Sequence, residues 1–461
     1  MVVIAETLRS LLSPDQVFEG ASLSEVWQQS ARAAGVEVSS VCRVAPRSEA
    51  ELSAVVKVCS QNRWRVLPCG SGSKLGWGNS PDPIDVVVSL AHLNRVVEHW
   101  VEDFTVRAEA GLGFAALQQQ LAQHRQFVAL DPLYRDRATL GGLVATADAG
   151  SLRQRYGGVR DMLIGVQFVR YDGEIVKAGG RVVKNVAGYD LMKLMTGAYG
   201  TLGILTQLTL RLYPQPEHSQ TIAVTGHGDA IQKTALEARL SGLTPVALDI
   251  LAGSFPLLPD SSPNSAPDSS PASPPGSPLD LAPGHCPPTS VSLIAQFQGI
   301  SAGVEEQVSR LCTLAHAAGA QTQTVDDSLW SAISTALIAD STSNVLCKVG
   351  MLPTSSADFL QLAETSLPQG WLGRLHNASG VGLLRFEASG QTSGKTAELI
   401  AKLRSHCEAH QGYLSVLQAP AEVKQKVDVW GYRGSALGVM QRLKANFDPQ
   451  DIFNPGRFIR A

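Results

Sequence analysis

The sequence predicts an α+β protein, and three observations carry that reading. Between Arg65 and Tyr213, short β-branched runs alternate with glycine-rich turns and a few amphipathic stretches. From Gln220 onward, strand-like and helix-like segments follow one another in near-regular order. That order is broken by one stretch, 256–288, which is dense in Pro, Ser and Asp and too poor in apolar residues to order itself. A chain of 461 residues with 44% hydrophobic content is long enough for two or three cores.

Met1 to Leu12 carries Glu6 and Arg9 inside its apolar pattern, which fits an amphipathic helix better than a signal peptide. Residues 1–43 are therefore expected to be a helical N-terminal segment. Ser48 and Glu51 have the spacing of a capping box for a helix running to Asn62. Arg65 to Pro68 reads as a short strand entering a glycine loop, Cys69-Gly70-Ser71-Gly72-Ser73-Lys74-Leu75-Gly76-Trp77-Gly78. Consecutive backbone N–H groups in such a loop form a nest for anionic oxygens. It is not a Walker A loop, because Lys74 is preceded by Ser73 and followed by Leu75, and its glycines miss the dinucleotide spacing by one residue.

Gly111-Leu112-Gly113-Phe114-Ala115-Ala116 does match G-x-G-x-x-A, after a strand at Thr105 to Ala110 and before a helix from Phe114 to His124, with Asp131 and Asp136 further on. The alternating runs Ile84 to Leu90 and Val96 to Trp100 argue for antiparallel strands, however, not a parallel β-α-β unit. These glycines then serve a turn and close helix packing.

The densest pattern runs from Ala138 to Tyr213. It contains Thr139-Leu140-Gly141-Gly142, then Arg160-Asp161, then Lys184-Asn185-Val186-Ala187-Gly188-Tyr189-Asp190-Leu191, and closes on Gly197-Ala198-Tyr199-Gly200-Thr201-Leu202-Gly203-Ile204. Repeated glycines beside short β-branched runs let backbone approach a large flat ligand, although glycine punctuates any β-rich fold. Tyr189 and Asp190 start a helix whose positive end suits a carboxylate. Beyond Gln220, segments at Thr221–Thr225, Ala230–Leu240, Val246–Leu251, Val291–Phe297 and Val304–Ala318 give a ferredoxin-like alternation.

Net charge of −3 carries no nucleic-acid footprint. Seven cysteines without a tight pairing pattern point to reduced thiols and a cytoplasmic setting, and no C-x-x-C pair suggests an iron–sulfur or zinc site. No apolar run approaches the ~18–20 residues of a membrane helix.

The glycine loop, the Thr139–Gly142 segment, the Lys184–Leu191 segment and the terminal Asp448-Pro449-…-Asn454-Pro455-Gly456-Arg457 occur in one order. In that order they resemble the FAD-binding domain of the vanillyl-alcohol oxidase superfamily and, more narrowly, the family of FAD-binding E subunits of bacterial glycolate oxidases. The resemblance covers Val44 to Pro216 strongly and Val427 to Arg460 moderately. It implies a two-subdomain, PCMH-type FAD-binding domain at 44–216 and a ferredoxin-like α+β cap at 217–418 with its insertion at 256–288. A segment at 419–461 would return to the FAD domain.

The resemblance also implies FAD held by Cys69, Gly70, Ser71, Gly72, Ser73, Lys74, Thr139, Gly141, Gly142, Thr146, Ser151, Gly203, Ile204 and Asn454. Pro132 would sit against the cofactor or simply end a strand. Arg160 would contact the cofactor or form a turn-closing ion pair with Asp161. Lys184 would neutralise a phosphate or pair locally. FAD is expected to be non-covalent, because Ser73 stands where covalent relatives carry the linking His.

Relatives that oxidise 2-hydroxy acids carry a His-Pro-Gly-Asp-Gly-Asn-x-His metal segment. Here the segment is His376-Asn377-Ala378-Ser379-Gly380, with Leu383 in place of the second His. No metal site is therefore expected, and His376 reads as structural or flavin-adjacent. The implied activity is glycolate oxidation to glyoxylate, with electrons passed to a catalytic flavoprotein subunit and an iron–sulfur subunit, in the cytoplasm or peripheral to the membrane through those partners. A self-sufficient dehydrogenase of another 2-hydroxy acid such as D-lactate, and a scaffold subunit with structural FAD, remain as alternatives.

Overall fold

The computed structural model describes residues 2–19, 28, 31–32, 35–181, 189–255, 291–338 and 343–460. The 256–288 insertion and Lys184 lie outside the described residues. Among the described residues the strands form a four-, a five- and an eight-stranded sheet with a two-stranded ribbon.

In the four-stranded sheet, Val17–Glu19 pairs antiparallel with Cys42–Val44, and Val86–Ser89 runs parallel to both Cys42–Val44 and Val66–Cys69. The N-terminal stretch expected to be helical thus supplies a strand as well as the helix Val2–Arg9. The Ile84–Leu90 run is a parallel strand, not an antiparallel one. Its strand Val86–Ser89 is buried along its whole length, as parallel strands with both faces covered tend to be. Helix Glu49–Asn62 is capped by the Ser48 hydroxyl, which accepts from Glu51 N at 3.2 Å. The box is half made, because the Glu51 carboxylate accepts from Arg47 N at 2.7 Å instead of returning to Ser48.

The five-stranded sheet is antiparallel throughout, in the order Val96–Trp100, Thr105–Glu109, Ile204–Arg211, Leu163–Val169, Ile175–Gly179. The strand entering Gly111 is therefore antiparallel to both its neighbours, and the dinucleotide reading falls. Gly111 serves packing: a Cβ there would lie 1.9 Å from the Leu90 carbonyl oxygen. Phe114, Phe168 and Phe453 are fully buried in the core shared by these two sheets. Burying each such side chain contributes about 1.5–3 kcal/mol.

The eight-stranded sheet resolves into two βαββαβ units. The first uses His218–Thr225, helix Gly228–Leu240, Ala247–Gly253, Val291–Gly299, helix Ser301–Ala317 and Gln321–Val325. The second uses Asn344–Gly350, helix Ser356–Ser366, Leu372–His376, Val381–Glu387, helix Ser393–Ala409 and Tyr413–Gln418. They join edge to edge where Ala247–Gly253 pairs antiparallel with Leu372–His376, and Asp249 sits directly opposite His376 in that seam. Helices cover one face over a second core. No described helix is long and apolar enough to cross a membrane.

Candidate cofactor site

A cleft of about 880 Å³, open mouth included, lies where the glycine loop meets the helix Leu140–Thr146. Strand Val66–Cys69 delivers the loop, and Gly72 turns it with φ +80°, a conformation L side chains rarely adopt. Thr139 caps the helix by accepting from Gly142 N at 3.3 Å. Loop and cap touch: a Cβ on Gly70 would come within 2.2 Å of Thr139 Oγ1. Segments around Met195–Leu205 and Asn454–Arg457 complete the wall.

Of the residues expected to hold the cofactor, Cys69, Gly70, Ser71, Gly72, Ser73, Lys74, Thr139, Gly141, Gly142, Thr146, Gly203 and Asn454 line this one cleft. Several have local duties. Lys74 Nζ pairs with Asp148 at 2.7 Å and donates to Thr146 Oγ1 at 3.3 Å, with its side chain only 5% exposed. Burial lowers the Lys74 pKa, and Asp148 opposes that shift. The Thr146 hydroxyl donates to the Gly142 carbonyl at 2.7 Å, so its proton is already committed. Gly141 is small for packing, with its Cβ direction 3.0 Å from Ala110.

Other expected residues stand elsewhere. Ser151 is fully buried, and its hydroxyl donates to Asp249 while its backbone N–H donates to Asp131 at 2.8 Å. Ile204 buries its side chain in the core at the start of a central strand, between the cleft-lining Gly203 and Leu205, and the expectation for it concerned its backbone. Pro132 is buried outside the cleft wall, and Arg160 is exposed. The turn beside Arg160 is closed by Asp161 accepting from Gly158 N at 2.8 Å, not by an Arg160–Asp161 ion pair. Asp190 caps the helix Leu191–Met195 by accepting from Lys193 N at 3.2 Å.

Tyr199, Trp77 and Arg457 also belong to the wall, and sequence reasoning did not single them out. Arg457 donates to the Trp77 and Asn79 carbonyls at 3.1 and 2.7 Å. Lys424 donates to the Gly76 and Gly78 carbonyls at 2.6 and 2.8 Å. Two buried cations thus hold the far end of the glycine loop, and burial pushes the Lys424 pKa down to about 7. Asn454 Nδ2 donates to the Tyr199 carbonyl at 2.8 Å, and Asn454 N pairs with Val66 O at 2.8 Å. The C-terminal segment therefore lies along the strand that feeds the loop. The signal for it was the terminal Asp448-Pro449-…-Asn454-Pro455-Gly456-Arg457 motif, one of those that carried the resemblance.

The wall fits FAD. Trp77 Nε1, Asn454 Oδ1 and Arg457 Nη2 are buried without a protein partner, and Leu75, Leu90 and Leu205 supply apolar surface between them. Buried polar groups in native proteins are almost always paired, so orphans along a cleft point to a ligand that pairs them.

A second cavity of about 410 Å³, mouth included, shares Trp77, Thr146 and Tyr199 with the first. Its far wall comes from the eight-stranded sheet and includes Lys348, Arg374, His376 and Leu383. His376 Nδ1 lies 2.8 Å from Asp249 Oδ1, and Arg374 Nε lies 3.9 Å from Asp249 Oδ2. Burial pushes the Asp249 carboxyl up, but His376, Arg374 and Ser151 together hold it below the usual carboxylate range. Among the described residues no three His, Cys, Asp or Glu side chains converge as a metal-ligand set.

Comparison with known proteins agrees with this geometry. Residues 41–179 match the family model described as FAD binding domain. The chain is 32% identical over 209 residues to glycolate oxidase subunit GlcD of Bacillus subtilis, covering 45% of this chain and 44% of that protein. It is 26% identical over 448 residues to the mitochondrial D-lactate dehydrogenase [cytochrome] of Arabidopsis thaliana, covering 90% and 73%. The chain thus spans less than half the length of the Bacillus relative. A solved p-cresol methylhydroxylase with substrate bound superposes with a TM-score of 0.70 at 14% identity, covering 99% of this chain and 96% of that one. A solved alkyldihydroxyacetonephosphate synthase superposes with a TM-score of 0.69 at 15% identity, covering 99% and 86%. By its glycine-lined cleft and its matching segment, the chain carries an FAD binding domain at 41–179, and it shares the fold of the solved p-cresol methylhydroxylase and alkyldihydroxyacetonephosphate synthase.

Proposed function

We propose that the chain is an FAD-dependent oxidoreductase of a small 2-hydroxy acid, working as the flavin subunit of a glycolate-oxidase-type assembly. The observation that carries the reading is the shared wall of the two cavities. Trp77, Thr146 and Tyr199 separate a cleft suited to FAD from a smaller polar cavity suited to a substrate. Bound FAD would supply the two-electron acceptor. The protein's own part is position: the Gly70–Lys74 nest faces anionic oxygens, the Lys74–Asp148 pair keeps a buried charge neutralised beneath the wall, and the Arg457 and Lys424 links hold the loop. With Ser73 in the loop, the cofactor is held non-covalently by Cys69 to Lys74, Thr139, Gly142, Gly203 and Asn454. The likeness to glycolate oxidase and D-lactate dehydrogenase relatives supports the substrate class, glycolate first.

Electrons would leave through partner subunits, a second flavoprotein and an iron–sulfur protein. A second reading, a self-sufficient dehydrogenase, is favoured by His376 and three cations lining the second cavity. Anaerobic addition of glycolate or D-lactate to the purified chain, alone and with its partners, separates the readings. Flavin bleaching only with partners supports the subunit reading, and bleaching by the chain alone supports the second. No bleaching under either condition contradicts both.

A further inference from the structure

We infer that the surface carried by residues 430–447 docks an acidic one-electron carrier protein, and that Tyr199, Trp430 and Phe458 join the cofactor cleft to that surface. The inference rests on the functional reading above and places the electron exit that it requires. Composition is the first support. From Trp430 to Phe447 the chain has no Asp or Glu and carries Arg433, Arg442 and Lys444, although the whole chain has a net charge of −3. Lys444 is buried and paired with Asp448. Arg433 and Arg442 are exposed, and among the described residues no carboxylate pairs with either. Packing is the second support. Helix Leu437–Phe447 carries Leu437, Val439, Met440, Leu443 and Phe447, yet its buried side chain is Lys444. Val439 is 48% exposed, and Tyr432, just before the helix, is 44% exposed. Helices are ordinarily held by burying an apolar face. This one is tethered by its lysine, which donates to the Thr201 and Phe453 carbonyls at 3.1 and 3.2 Å, and its apolar side chains stay partly uncovered. Aromatic residues, Met and Arg in the absence of Asp and Glu are also what the centre of a protein–protein interface is enriched in.

The third support is a run of rings in contact. Tyr199 lines the cofactor cleft. Its ring centroid lies 4.8 Å from that of Trp430 and 5.6 Å from that of Phe458, and those two lie 4.8 Å apart. Trp430 and Phe458 are half-buried, and the exposed Tyr432 follows Trp430 by two residues. Trp430 is held in place. Its Nε1 donates to the Arg457 carbonyl at 3.1 Å, and its ring occupies the space a Cβ on Gly78 would need, 2.6 Å from Cζ2. Electron tunnelling decays exponentially with distance and decays less steeply through packed atoms than across a gap. The three rings therefore serve as a medium and are themselves neither oxidised nor reduced. Two carriers each accept one electron at their metal centre, and the proton released when the cofactor is reoxidised goes to solvent. Complementary charge selects an acidic carrier and speeds the encounter, while a small, partly apolar patch suits the short-lived contact that electron carriers make.

Binding and transfer test this on the purified chain with its flavin, at low ionic strength. The probes are cytochrome c, whose surface is basic, and its succinylated form, in which carboxylates replace the lysine charges. Calorimetric titration uses both partners oxidised, so that no reaction occurs. The succinylated form is expected to bind and the native form not measurably. Binding should vanish at 1 M salt, where the Debye length is about 3 Å. The double variant Arg433→Glu, Arg442→Glu should bind the succinylated form at least about tenfold more weakly, with FAD content equal to wild type. Stopped flow then uses chain reduced beforehand with dithionite, so that no substrate is needed, and the succinylated form should be reduced faster than the native one. Trp430→Leu should slow that transfer several-fold at saturating acceptor and leave binding unchanged. Phe458→Leu, a smaller change that keeps the fold if Trp430→Leu does not, should slow it less. Equal binding of the two forms, binding indifferent to the charge reversal, or full-speed transfer in both ring variants would each overturn the inference. A chain purified without flavin would sink the functional reading and the route together. A flavin-loaded chain that treats the two forms alike would sink this inference alone.

Discussion

Gly70→Ala probes the contact on which the cleft is built. An added Cβ would lie 2.2 Å from Thr139 Oγ1, 3.0 Å from its Cγ2 and 3.1 Å from its Cβ, where ordinary contact begins at 3.4 Å. Thr139 must retreat by roughly 1 Å, and it is the cap of the helix Leu140–Thr146. Overpacking of this kind costs about 1–3 kcal/mol, and a lost cap about 1 more, so the substitution should cost about 2–4 kcal/mol. The denaturant midpoint of the purified protein reads the stability, and fluorescence titration of FAD reads the site. FAD affinity should fall at least about tenfold, because both displaced groups line the cleft. In a Thr139→Ala background the two closest atoms are gone and only the Cβ at 3.1 Å remains, so the same change at Gly70 should cost less than half as much, a coupling of about 1–2 kcal/mol. Equal costs in both backgrounds, or a cost below about 0.5 kcal/mol in wild type, would refute the contact.

Three further outcomes follow from neighbouring geometry. Arg457→Met leaves the buried Trp77 and Asn79 carbonyls without their donor, which should cost about 1–3 kcal/mol and lower bound FAD per chain; unaltered FAD content would show that the tail does not support the loop. Lys424 has a folded-state pKa pushed down to about 7 by burial, below its ordinary 10.5, so the unfolded chain binds the extra proton between those values. Stability should therefore rise as pH climbs from 7 toward 10. Lys424→Met should flatten that rise, and a pH dependence identical to wild type would contradict it. Gly142→Ala should fold and bind FAD, since its Cβ meets only Thr139 Oγ1 at 3.2 Å. The larger branched side chain of Gly142→Val should exclude FAD, with folding checked by circular dichroism.

Sequence motifs located the glycine loop, Thr139, Gly142, Gly203 and Asn454 because each sits where backbone shape is dictated locally, at a turn, a cap or a strand end. Ser151 and Ile204 are near those motifs in sequence, but a one-residue step along a strand or turn reverses the side chain's face. Ser151 therefore points to Asp249 and the Ile204 side chain to the core, while the backbone of Ile204, which the resemblance places toward the cofactor, follows Gly203 in the cleft wall. Gly142 is helical, because Thr139 caps a helix there. The doubled ferredoxin-like unit was half legible, since the 256–288 insertion separates two strands that pair with each other in the first unit. The seam between the units, which sets Asp249 against His376 across 127 residues of sequence, is a long-range register that no local pattern encodes.

The most direct test of the account is the cofactor itself. The chain is purified, its flavin absorbance recorded, and the protein precipitated with acid. The account predicts about one FAD per chain, released entirely into the supernatant. A chain without flavin, a released FMN, or flavin that stays with the precipitated protein would contradict it.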